Sequence, residues 1–178
     1  MRHIHLLLPL ALILTACGGP RHEGTVTYRV VVGPSDITGS TLNEAVHVDP
    51  TDAQWTAFLA QAQDTLEEAP TWFEVTSARI QLYIPNSRNV STLQDLFTGE
   101  VTAYLRSDET GAQVDIARIT DPRGSAQVPM GSTRGSLESL AGNLNRSDFL
   151  LGLRGGTPRS ATGDFEATVI ITLDVTAR

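Results

Sequence analysis

Phe165 to Thr176 alternates without interruption over twelve residues. Phe165, Ala167, Val169, Ile171, Leu173 and Val175 share one face, and Glu166, Thr168, Ile170, Thr172, Asp174 and Thr176 the other. Period two with β-branched residues puts alternate side chains on opposite sides of a half-buried strand, which a helix cannot do. The segment exceeds the common strand of about 3–10 residues, so a bend or bulge is expected in it. Val26, Tyr28, Val30 and Val32 alternate in the same way. In Thr71 to Ile84 simple alternation places Ala78, Ile80, Leu82 and Ile84 on one face and Phe73, Val75 and Tyr83 on the other. Glu100–Arg106, Gln113–Ile119 and Phe149–Arg154 read as further strands, and the polar stretch Asp108-Glu109-Thr110-Gly111 suits a hairpin.

One stretch changes period. Trp55, Phe58, Leu59, Ala62 and Leu66 recur at helical spacing and form one apolar face. Asp49-Pro50 before them reads as an N-cap and a first-turn proline, and Pro70 marks the end. Such a helix buries its stripe against a sheet. Ser40–Glu44, Ser91–Asp95 and Gly135–Ser139 resemble one another, two of them 51 residues apart. Ser or Thr before Leu and an acid starts short helical turns, and nothing else recurs at that period. Gly152–Gly163, with Gly155-Gly156-Thr157-Pro158, reads as a surface loop. The expected fold is mainly β: a two-layer antiparallel sandwich of about seven strands with one docked helix. The alternative is α+β, a single curved sheet packed on that helix.

The N-terminus is not part of this domain. Leu6 to Leu14 is apolar apart from Pro9 and rises about 13 Å as a helix, far short of a bilayer core of about 30 Å. Behind the short start with Arg2, this is the pattern of a signal peptide. It runs into Leu14-Thr15-Ala16-Cys17, which resembles the lipobox of bacterial lipoproteins, and Cys17 is the single cysteine. The resemblance implies lipid on the Cys17 sulfur, cleavage before it, and acylation of the new amino end. Several acyl chains, at about 0.8 kcal/mol per buried CH₂, make a stable anchor. Gly18 lacks the aspartate associated with inner-membrane retention, so the resemblance implies an outer-membrane location in a Gram-negative envelope. The organisation expected is a signal peptide over 1–16, lipidated cysteine and tether over 17–24, and one domain over 25–178.

Without residues 1–16 the chain has 162 residues, and 12 basic side chains face 20 acidic ones. Every strong base is arginine, since the sequence contains no lysine. The acidic balance and lack of basic clusters argue against nucleic acid as a partner, and against a polybasic membrane patch. Lipid on Cys17 is therefore the expected membrane link.

Little supports catalysis or a cofactor. His47 has no nucleophile elbow beside it, and zinc-ligand spacings are absent. Gly152–Gly156 lacks the Lys-Ser/Thr of a phosphate loop. Asp108, Glu109 and Asp115 flank one loop as calcium candidates, although they do not match a calcium-loop pattern. A ligand face is suggested by two strand faces that each join a ring to long polar groups: Arg79, Gln81 and Tyr83 on one, Tyr104 and Arg106 (with Thr102) on the other. The leading expectation is a non-enzymatic envelope lipoprotein that binds or scaffolds a protein or glycan. The rivals are a hydrolase of envelope polymers using loop carboxylates and a calcium-supported adhesion domain.

Overall fold

The computed structural model describes residues 19–133, 135–158 and 163–178. Residues 1–16, expected to be a signal peptide, and Cys17 lie outside the described residues. Among the described residues, nine strands form one antiparallel sheet: β1 (His22–Val32), β2 (Ile37–Thr38), β3 (Thr41–Val48), β4 (Phe73–Leu82), β5 (Thr98–Arg106), β6 (Gln113–Thr120), β7 (Val128–Ser132), β8 (Phe149–Gly156) and β9 (Ala167–Ala177). Their order is β1-β9-β4-β7-β6-β5-β8-β3-β2. Three α-helices among the described residues punctuate them: α1 (Ala53–Leu66), α2 (Leu93–Leu96) and α3 (Ala141–Asn145).

The sheet is mainly β as expected, but it is one continuous ladder curled into a half-barrel, in place of a separate pair of layers with about seven strands. The curl brings β1 beside β3. Every long strand contributes to one buried cluster, from Val26 and Val30 through Ile171, Ile80, Ile116, Ala103 and Leu151 to Leu42. The concave side is thus the core, and the convex side carries the alternating polar residues.

Two bulges set which side chains reach that core. Between Val75 and Ser77 the β4–β9 register slips by one residue, so Phe73 and Val75 face inward with Ala78, Ile80 and Leu82. Unbroken alternation had put them on opposite faces; one inserted residue reverses the parity. The irregularity expected in the long last strand therefore lies in its partner. A second slip, opposite Ala103 and Tyr104, lets Ile116 and Ala117 both enter the core.

Helix α1 sits over the mouth of the half-barrel. Its N-cap is Asp52, which accepts the amides of Gln54 and Trp55 at 3.1 and 2.8 Å. Asp49, expected in that role, instead holds a turn by accepting the Thr51 amide at 2.7 Å. The predicted apolar face is buried throughout. The Trp55 indole packs against Phe58, Phe73 and Phe149 with centroids 5.1, 6.1 and 5.0 Å away, and its N–H donates to the Leu144 carbonyl at 2.7 Å. The Gln54 amide meets the free edge of β1. It accepts the Thr27 N–H at 3.0 Å and donates to the Thr27 carbonyl at 2.7 Å, as a neighbouring strand would.

Other expectations shift. Ser40–Glu44 leads into β3, not a helical turn, whereas Ser91–Asp95 enters α2 with Asp95 accepting the Thr92 amide at 2.9 Å. Gly155 and Gly156 complete β8, so the loop begins at Thr157. Residues 107–112 do join β5 to β6 as a hairpin, with Gly111 at φ 70°.

Burial of the α1 face predicts that Phe58→Ala costs about 3–5 kcal/mol, as for other large core aromatics. Urea unfolding of the soluble domain measures this, and an unchanged midpoint would contradict core packing.

Candidate functional site

The convex face carries the residues singled out from sequence, in two groups. β7 and β6 lie between β4 and β5, so the groups stand roughly 14 Å apart, at about 4.8 Å per strand. They do not make one contiguous ring-and-arginine patch.

On β4, Arg79 donates to both oxygens of Asp174 on β9 at 2.8 Å. Thr25 of β1 donates to the same carboxylate at 2.7 Å, tying three strands together. The Arg29 guanidinium stacks 5.2 Å above the Tyr83 ring. Gln81 stands between these pairs, half-buried, opposite Ile170.

The β5 group is more tightly built. Tyr104 is 2 % exposed although it lies outside the core cluster, on the convex side. Its ring covers Gly152 of β8: a Cβ there would sit 2.2 Å from the ring carbon bearing the hydroxyl. Glycine is required by this close approach. The ring crosses β8, and its hydroxyl donates to Asn43 Oδ1 of β3 at 2.9 Å. Arg154 lies 6.0 Å from the ring centroid and donates to both oxygens of Asp115 on β6, at 2.9 and 2.8 Å. Arg118 adds a bond to Asp115 at 3.1 Å and approaches Glu100 at 3.7 Å. Asn43, Arg118 and Arg154 were not singled out from sequence. The missing signal was the strand order, which sets them beside Tyr104.

The calcium candidates do not converge. Asp108 pairs with Arg106 at 3.1 Å, Glu109 with Arg146 at 2.6 Å, and Asp115 with Arg154 and Arg118. Each carboxylate already has its own cation. Among the described residues, no three His, Cys, Asp or Glu side chains gather as metal ligands. His47 meets Asp148 at 2.9 Å on the exposed side of β3 and β8. An acid pair missed in the sequence is Glu44 with Asp36: burial first, then the Asp36 charge, pushes the Glu44 carboxyl up. Asp36 is already engaged by the Gly33 amide at 2.7 Å. A depression of about 410 Å³ lined by Gln94, Phe97, Thr98, Asp121, Arg123 and Pro158 contains none of the sequence candidates.

Two tyrosines, Tyr104 and Tyr28, carry an electrostatic signature. Burial pushes the Tyr104 hydroxyl up. Burial, then the charge of Asp52, which accepts from Tyr28 at 3.2 Å, pushes Tyr28 up strongly.

No family model matches the chain, and no curated protein matches it. Among solved structures, a decameric BFDV capsid protein is similar over 89 % of this chain and 99 % of its own, with 12 % identity and TM-score 0.43. A 60-mer of BFDV capsid protein is similar over 89 % and 93 %, with 7 % identity and TM-score 0.35.

Two outcomes follow from this face. Gly152→Ala should destabilise the domain by about 1–3 kcal/mol through overpacking against Tyr104, and adding Tyr104→Ala should relieve most of the clash; thermal melts of both variants test this. A buried phenol whose pKa is raised stays protonated while the unfolded phenol ionises. Stability should then fall as pH rises past about 10, the pKa of an unfolded tyrosine. The sequence contains no lysine to compete with Tyr28 and Tyr104 in that range. Tyr28→Phe should flatten the alkaline limb of a stability–pH curve; an unchanged limb would show that Tyr28 is not held neutral.

Proposed function

We propose that the chain is an envelope lipoprotein, anchored through acyl chains on Cys17, whose β domain binds or scaffolds another envelope component without catalysis. The observation that carries this reading is the apolar run ending in Leu14-Thr15-Ala16-Cys17 at the single cysteine. β1 begins at His22, five residues beyond Cys17, so an anchored domain stands close to the bilayer. Gly18 favours the outer membrane.

The convex face is the binding surface in this reading. Its arginines are held by carboxylates across strands, so they present fixed guanidinium edges and a polar surface to a protein or glycan. Arg118 and Arg106 keep substantial exposure on the β5–β6 side. The loop acids on which a hydrolase or calcium reading would rest are each committed to a separate arginine, which favours binding over both.

Mass spectrometry of membrane-extracted protein should show acyl mass on a peptide beginning at Cys17, absent in Cys17→Ser. A free Cys17 in wild-type protein from the membrane would refute the anchor. Photo-crosslinkers at Arg118 and Gln81 in intact envelopes should capture one discrete partner from the convex face. Turnover of peptidoglycan or polysaccharide that disappears in Asp115→Asn would overturn the non-enzymatic reading.

A further inference from the structure

The strand register builds a particular row at the end of the domain where the tether enters. His22 and Phe73 both lie opposite Ala177, on either side of β9. One residue further out, Arg178 donates its amide to the Trp72 carbonyl at 2.9 Å, and Trp72 donates to the Arg178 carbonyl at 3.0 Å. The same step along β1 is Arg21. Alternation from Phe73, Ala177 and Thr25 puts Trp72, Arg178 and Arg21 on the convex face. The Arg178 guanidinium lies 4.5 Å over the Trp72 ring. Arg21 and Arg178 are exposed, and Trp72 is half-buried.

We infer that Arg21, Arg178 and Trp72 rest in the phospholipid headgroup layer and set the domain end-on, its strands leading away from the bilayer. The inference deepens the proposed anchoring and rests on it. Five residues from Cys17 to His22 span at most about 17 Å, so this end cannot leave the headgroup zone far behind. Indole rings favour that zone because the ring is apolar and its N–H is polar, and guanidinium groups pair with phosphate. Acids limit the kind of lipid. Glu23, paired with Arg21 at 3.1 Å, and Glu74 occupy the next row, while Glu67 and Glu68 lie in the segment leading to Thr71, whose amide bonds the Arg178 carbonyl at 2.8 Å. Attraction by net positive charge is therefore unavailable, and zwitterionic lipid should suffice.

The chain has two tryptophans, and Trp55, 2 % exposed in the core, is an internal reference. The full acylated protein is reconstituted into phosphatidylcholine vesicles carrying a headgroup-level spin label. Trp72 emission should be quenched roughly twofold or more, as expected of an indole in the interface. The quenching should vanish in Trp72→Phe, weaken in Arg178→Glu, and not increase when phosphatidylglycerol is added. Trp55 emission in Trp72→Phe reports that the fold is intact. Protein that floats with the vesicles and carries acyl mass, yet shows unquenched Trp72, overturns the end-on contact while leaving the anchor standing. Protein without acyl mass that fails to float overturns the anchor and the contact with it.

Discussion

The indole of Trp55 is where the separate parts of this protein meet. Its ring touches Phe73 from one half of the curled sheet and Phe149 from the other, and its N–H reaches the last turn of α3. A curled sheet with unpaired edges has no covalent reason to stay curled. Here an aromatic wedge on α1 fixes the distance between the halves, and burial of the whole helix face drives it into place. Phe58 extends the wedge towards β1, where Gly24 leaves room for its ring. The polar ladders of the convex face depend on that curvature, because it decides which side chains can span neighbouring strands.

On that face the long side chains act across strands more than along them. Asp174 gathers Thr25 and Arg79, and Asp115 gathers Arg154 and Arg118. Exposed pairs of this kind contribute little individually, about 0–1 kcal/mol. Their effect is geometric: they hold arginines flat against the sheet and consume carboxylates that would otherwise be free for metal or acid–base chemistry. Tyr104 does the same with a ring, closing over Gly152 and handing its hydroxyl to Asn43.

What could be read from the sequence depended on whether a feature was local. The alternation of Val169 to Val175 and the helical spacing of Trp55 to Leu66 needed no partners, and both appear as elements with the expected buried faces. The inward turn of Phe73 was hidden because a single bulge inverts parity, and no residue type marks Thr76 as its site. β3 was missed because Glu44 interrupts its apolar face and Thr41-Leu42-Asn43-Glu44 imitates a helix start. In the candidate site, Tyr104 and Arg106 could be named as a pair on one face, but Asn43, Arg154 and Asp115 come from other strands. Their meeting is a property of strand order, which only long-range packing decides. Trp72 immediately precedes β4, and the parity that the bulge sets at that end turns its ring outward.

The Gln54 contact to β1 has a consequence for how the sheet ends. One side chain satisfies both backbone groups of Thr27, so the helix acts as a single rung of a strand that does not exist. Until α1 docks, that rung is vacant and the edge can recruit another copy's backbone. Helix docking thus occupies the middle of the β1 edge, where the backbone of a second copy would otherwise pair.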